Sequence, residues 1–182
     1  MTQSDGKRPD RRPGTVRRAQ ERDRLAVGAL YRTLQNAHAL QCPRIFNPAL
    51  ADELSAEDFA ASVAAEDKRV LVVERDGEIV AAAEAGLFDH AGDNTFRARR
   101  RVYVTHLITE PGARRQGHAR ALMQAVKDWA RLHEAESIEL YVWEGSAEAM
   151  AFYRALGYRA IATQLVLMVS SPDAGKDPKA GG

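Results

Sequence analysis

Three arginines surround one glycine in PGARRQGHARALM, residues 111–123, and apolar residues then follow at helical spacing. A helix N-terminus carries unpaired N–H groups and about half a positive charge, so an anion docks there readily, phosphate most commonly. Gly117 has no Cβ to hold a ligand off the backbone, and Ala119 is the next smallest residue on the same side. Arg114, Arg115 and Arg120 add guanidinium groups that can grip phosphate in two-pronged fashion. The spacing from Arg114 to Ala119 fits a diphosphate held between a strand end and a helix start, although an ordinary helix start can carry the same residues. The Gly-Lys-Ser/Thr ending of a Walker loop is missing, as are two of the three glycines of a dinucleotide fingerprint. Two acid–base candidates lie elsewhere. Glu84, flanked by alanines in a strand-like run, points either into a cleft or to solvent. His106 alternates with Val104 and Ile108, which places it on their face as a core residue or a base.

These side chains need a scaffold. The pattern predicts a short strand at TVRRA, a helix over 21–40 with Leu25, Leu30, Tyr31, Leu34 and His38 on one face, and a loop at CPRIFNPAL. Ser55 followed by Asp58 starts a second helix. Runs 70–74 and 79–87 flank Asp76-Gly77 as a hairpin. After a loop at 89–98 come a strand over 100–109, a turn at 111–115 and a helix over 116–134 with Leu122, Val126 and Trp129 inward. A strand over 138–143, a short helix from Ser146 ending near Gly157, and strands over 158–162 and 164–169 complete a mixed α/β order.

The 182 residues are 45% hydrophobic, which suits one domain over 15–169 between a basic tail, 1–14, and a second tail, 170–182. A net charge of +1 argues against a polyanion binder; the arginine blocks RPDRRPGTVRR and RARRR lack interleaved aromatics and read as solvated charge, with no nucleic acid expected. Cys42 is the one cysteine, an incidental thiol that fits a reducing compartment. The N-terminus lacks an apolar leader core, and no run approaches the roughly 20 residues of a membrane span. A cytoplasmic protein with no membrane partner and no metal is expected.

HLITEPGARRQGHARALM resembles the signature of the GNAT superfamily of N-acetyltransferases, a strand ending Leu-x-Val-x-Pro followed by Arg/Gln-x-x-Gly-x-Gly/Ala. Leu107, Pro111, Arg114, Gly117 and Ala119 match, with Thr109 in the place of Val. Downstream, SAEAMAFYRALGY resembles the family's Asn-x-x-Ala-x-x-Phe-Tyr-x-x-x-Gly-Phe block, with Ser146 in the place of Asn. The resemblance implies a single-domain, twisted mixed sheet with helices on both faces. It implies that strands 100–109 and 138–143 splay apart and that acetyl-CoA lies between them. On that reading the backbone of Leu107, Ile108 and Thr109 binds the pantetheine arm. Arg114, Arg115, Gln116, Gly117, His118, Ala119 and Arg120 hold the diphosphate.

An amine then attacks the thioester directly, in a ternary complex with no metal. The resemblance places Tyr153 near the sulfur as proton or hydrogen-bond donor, with Ser146 either capping its helix or touching the pantetheine. Two glutamates that the family uses as bases correspond to Tyr103 and Tyr141, so the base is open; Glu84, His106 and a water chain are the candidates. His38, Phe46, Glu84, Tyr141 and Trp143 would line an acceptor pocket suited to a small cationic amine or a peptide N-terminus. Dimerisation is common in such proteins. A CoA-binding sensor without turnover is the competing expectation.

Overall fold

A computed structural model describes residues 14–49, 54–167 and 169, in two compact units, Met1–Ser146 and Ala147–Gly182. The two tails expected from composition fall outside the described residues, apart from Gly14.

The first unit is built on a five-stranded sheet in the order β1-β2-β3-β4-β5. Strand β1 (Thr15–Arg18) pairs antiparallel with β2 (Lys68–Arg75). The guanidinium of Arg17 secures that edge, reaching Glu74 at 2.7 Å and Asp23 at 2.6 and 3.0 Å. Asp23 is only 6% exposed, so this pairing removes what would otherwise be a costly buried charge.

A 3-10 turn, Glu21–Asp23, leads into α1 (Arg24–Gln41). Val27, Leu30 and Ala39 are buried on α1, and Tyr31 and Leu34 pack partly buried beside them. Leu25 departs from the expected face and is 72% exposed, because it sits about 200° around the helix from Val27. Helix α2 (Ala56–Ala64) starts where Ser55 predicts, its Oγ accepting the Asp58 N–H at 3.0 Å.

Strands β2 and β3 (Glu78–His90) form the expected hairpin, with Asp76 at φ 52° and Gly77 at φ 82°. Two successive left-handed residues are what a two-residue primed turn requires. Strand β4 (Arg99–Thr109) pairs antiparallel with β3 in a register that slips once. Glu84 faces His106 and Ala85 faces Val104, so Thr105 is an extra residue in β4. His106 shares the Glu84, Ala82 and Ile108 face, as expected for Ile108. The slip corrects its expected place beside Val104, which the inserted residue turns to the opposite face.

That parity organises the core. Val70, Val72, Ala82 and Ile108 pack with Val27, Leu30 and Phe59 from α1 and α2. On the other face α3 (His118–Leu132) buries Leu122, Val126 and Trp129, as its spacing predicts. The Arg69 guanidinium lies 5.1 Å over the Trp129 ring there. Helix α3 stops two residues earlier than expected. Glu134 enters the left-handed region at φ 55°, and its N–H and that of Ala135 bond back to Arg131 and Ala130.

Strand β5 (Ser137–Glu139) runs parallel to β4, pairing only with residues 101–103. The expected strand over 138–143 is therefore cut short, since residues 140–143 leave the ladder. Arginines of the 97–101 block are engaged within the chain: Arg99 and Arg101 on Glu139 at 2.6 and 2.5 Å, Arg100 on Asp89 at 2.7 Å.

The second unit contains α4 (Ala147–Ala155). Gly157 ends it at φ 90°, with the Gly157 N–H on Arg154 and the Tyr158 N–H on Tyr153, each at 3.0 Å. The strands expected over 158–162 and 164–169 are not formed in the described part of that stretch. Its apolar residues Ile161, Leu165 and Leu167 stand exposed without a ladder partner, and β-propensity without pairing does not make a strand.

Candidate functional site

The departure of β5 from β4 leaves one edge of β4 open. Beyond Tyr103 no described residue pairs with it on that side. The Glu110 N–H donates to the Val80 carbonyl at 2.9 Å, which fixes the alternation of the ladder. Main-chain groups of Ile108 therefore turn to β3, and those of Leu107 and Thr109 turn to the open edge. Such unpaired groups call for partners.

The same strand runs into the glycine-containing loop. After a 3-10 turn at Pro111–Ala113, Arg115 takes φ 63° and Gly117 takes φ 87° as the N-cap of α3. No side chain caps this helix start, and no acidic residue lies in its first turn. A Cβ built on Gly117 would meet nothing within 4 Å, so the helix start is not crowded at its N-cap. Arg114, Arg115 and Arg120 are exposed, and Ala119 is half-buried. The Arg114 Nε lies 3.4 Å from the Thr109 carbonyl, bringing its guanidinium back over the strand end.

Gln116 braces the loop. Its Oε1 accepts from Arg75 Nη1 at 2.6 Å, and its Nε2 lies 3.4 Å from the Gly112 carbonyl. His118 turns inward: it is 6% exposed, and its Cε1 would lie 3.4 Å from a Cβ on Gly14. Burial, and then the charge of Arg75, lower its pKa, so the ring stays neutral at physiological pH and only its main chain faces the loop. Two polar atoms near this strand–loop junction, Thr109 Oγ1 and His118 Nε2, are buried without a protein partner.

A polar cluster lies on the α1 face of the sheet. The Tyr31 hydroxyl donates to Glu84 Oε2 at 3.0 Å, and His106 Nδ1 approaches the same oxygen at 3.3 Å. The Tyr31 and His106 rings stack at 4.2 Å between centroids, 15° from parallel. The His106 ring, joined by Tyr31 and Lys68, holds the Glu84 carboxyl below its ordinary pKa against the opposing effect of burial. Burial drives the Tyr31 phenol well up, and the Glu84 charge adds to it. Glu84 is thus an ionised, half-buried carboxylate that accepts from the Tyr31 hydroxyl and lies against the His106 ring.

Apart from Glu84, the expected lining residues separate into two groups. His38, Phe46 and Trp143 form an aromatic row with centroids 5.0 and 4.7 Å apart, while Tyr141 packs edge-on to Tyr103 at 5.9 Å. His38 is held below its ordinary pKa by burial and by the charge of His106. The Ser146 hydroxyl donates to Gln41 Oε1 at 2.9 Å. In the second unit Tyr153 packs against Phe152 and Tyr158 at 5.2 and 5.5 Å, and burial followed by the Tyr158 charge pushes its phenol up. The Tyr158 phenol is itself pushed up to about 12 by burial.

Sequence reasoning missed the parts played by Tyr31, Arg75 and Thr105. Tyr31 carries one signal, its place on the helix face it shares with His38, but nothing local ties it to a carboxylate 53 residues on. Among the described residues, no group of three or more His, Cys, Asp or Glu is placed to hold a metal ion, and no helix is long and apolar enough to cross a membrane.

Comparison with known proteins places this geometry. The model of the acetyltransferase (GNAT) family matches residues 31–158. A variant of the BH1408 protein from Bacillus halodurans superposes with a TM-score of 0.81 at 27% identity, covering 86% of this chain and 99% of that one. The aminoglycoside N-acetyltransferase AAC(6')-Iy, solved with the bisubstrate analog CoA-S-monomethyl-acetylneamine, gives 0.67 at 16% identity, covering 86% and 98%. An acetyltransferase of Trypanosoma brucei gives 0.59 at 18% identity, covering 85% and 99%. No protein in the curated set matches the chain.

Proposed function

The chain belongs to the acetyltransferase (GNAT) family, and from that premise we propose that it moves an acetyl group from acetyl-CoA to a primary amine of a small molecule or peptide, by direct attack in a ternary complex. One observation carries this reading: the open edge of β4 leads without a break into a loop that carries backbone N–H groups and guanidiniums around an uncrowded Gly117. An extended arm with amide groups would complete the edge. A diphosphate would end that arm at the start of α3. Acyl-CoA has this order of groups, and a structural neighbour, AAC(6')-Iy, is solved in complex with CoA.

On this reading the main-chain groups of Leu107 and Thr109 bind the pantetheine amides, with Ser146 beside them. A backbone N–H of the same strand receives the negative charge that develops on the thioester oxygen. Arg114, Arg115 and Arg120 neutralise the diphosphate, and the N–H groups from Gln116 to Ala119 donate to it. Holding both reactants in attack geometry supplies several kcal/mol of the barrier. Tyr153 keeps its proton because burial raises its pKa, so it acts as a hydrogen-bond donor to the departing sulfur. Glu84 stays ionised and draws an ammonium group toward the aromatic row of His38, Phe46 and Trp143.

The test is calorimetric titration with CoA, followed by thiol release from acetyl-CoA with a panel of primary amines. Binding with amine-dependent release is expected. Binding without release under any amine would leave a CoA-sensing module, and no binding would remove the proposal.

A further inference from the structure

The cluster on the α1 face settles which nitrogen of His106 carries a proton. The Thr105 hydroxyl lies 3.3 Å from the Glu84 main-chain carbonyl and donates to it. Its single proton is thereby spent, so toward His106 Nδ1, 3.2 Å away, the Thr105 oxygen can only accept. The other neighbour of Nδ1 is Glu84 Oε2 at 3.3 Å, an ionised carboxylate and again only an acceptor. Both partners demand a proton on Nδ1. The neutral ring therefore keeps its lone pair on Nε2.

The rest of the arrangement fixes that ring. Tyr31 stacks flat on one face and donates to the same Glu84 oxygen. His106 lies directly opposite Glu84 in the ladder, on the α1 face that it shares with Ile108. The imidazole is still 38% exposed, so the ring is not sealed in the core. It directly precedes Leu107, whose main chain lines the open edge. The charged and titratable groups facing it are Tyr31 and His38 from α1, Glu84 from β3 and, through Glu84, Lys68 from β2. A carboxylate behind an imidazole whose far nitrogen is basic is the arrangement by which histidine is prepared to take a proton.

We propose that His106 is the base of the transfer, its Nε2 removing a proton from the incoming ammonium, with Glu84, Tyr31 and Thr105 as positioning residues. This rests on the acetyl-transfer reading above. Of the two protons the amine nitrogen loses, Nε2 takes the first and passes it to water, exposing the lone pair. That lone pair forms the N–C bond as the C–S bond breaks. The electron pair leaves with sulfur, and the second nitrogen proton ends there.

Two measurements on the full chain test it. In His106→Asn the side-chain amide can still donate to Thr105 and Glu84 but offers no base. With an amine that the wild-type chain acetylates, kcat should fall about 100-fold, in the range a positioned base contributes. CoA affinity should hold, and the decline of kcat toward acid pH should flatten. His106→Gln serves equally should the first variant fold poorly. Separately, 15N NMR of histidine-labelled protein should place the neutral His106 proton on Nδ1, with the signal assigned by its absence in the variant. An Nε2–H tautomer, or a variant with unchanged kcat and pH profile, overturns the inference while acetyl transfer stands. A wild-type chain that acetylates no amine fails the underlying reading, and the inference falls with it.

Discussion

Gly117→Ala separates the fold from the function of the loop, because Gly77 offers a matched control. Gly117 sits at φ 87° and Gly77 at φ 82°, and a Cβ at either position meets nothing within 4 Å. Neither substitution creates a clash, so each costs only the strain of a left-handed alanine, about 1–2 kcal/mol. For a domain of this size that lowers Tm by roughly 3–6 °C, and the two ligand-free variants should melt close together. They differ in place. Gly77 belongs to the hairpin turn between β2 and β3; Gly117 is the N-cap of α3, where the diphosphate is proposed to lie. A methyl group there would stand in the approach to the diphosphate. Losing one main-chain hydrogen bond to a charged group costs about 1.5–3 kcal/mol, or about 10- to 100-fold in affinity. Calorimetric titration with CoA should therefore show normal binding for Gly77→Ala and at least tenfold weaker binding for Gly117→Ala. Equal affinities would mean that the diphosphate does not lie on this loop, and the assignment of Arg114, Arg115 and Arg120 would go with it.

Two further outcomes are expected. Tyr153→Phe removes the donor proposed for the departing sulfur and should lower turnover about tenfold or more, with CoA affinity within a factor of two of wild type; full turnover in a stopped-flow thiol assay would free Tyr153 of that role. The pH dependence of stability should report on Glu84, whose carboxyl titrates below its ordinary 4.5 in the fold because His106, then Tyr31 and Lys68, favour its ionised form. A depressed carboxyl contributes stability that is complete above the unfolded value and is lost as pH falls through the folded one. The Tm advantage of wild type over Glu84→Gln at pH 7 should accordingly shrink as pH falls below the ordinary 4.5, and a constant difference would show that the carboxylate is not stabilised by its neighbours.

What could be read without coordinates was local. Asp76-Gly77 declares its hairpin because few other residue pairs tolerate two left-handed conformations, and Ser55 declares its helix because its oxygen reaches an N–H three residues on. Leu122, Val126 and Trp129 were legible for the same reason, since helical periodicity is a short-range property. The loop at Gly117 was legible as chemistry, but the strain at Arg115 and the brace from Arg75 to Gln116 were not; the two residues of that brace are 41 positions apart. Strand ends were misread where a partner decides them. Residues 140–143 and 158–167 have the composition of strands, and only a ladder would have made them so.

The largest misreading concerns Val104, expected on the face of His106 and Ile108, and its cause is a single inserted residue. Strict alternation puts His106 with Val104, yet with Thr105 extruded the parity of β4 reverses at that point. Without the bulge, Val104 would stand on the α1 face with His106 and Ile108. With it, Val104 turns to the opposite face, and the hydroxyl of the extruded residue itself uses its proton on the Glu84 carbonyl. The same residue thus sets both the direction of Val104 and the hydrogen bonding around the imidazole. Side-chain chemistry at this position follows from backbone register, a property of β3 and β4 together that neither strand's sequence contains alone.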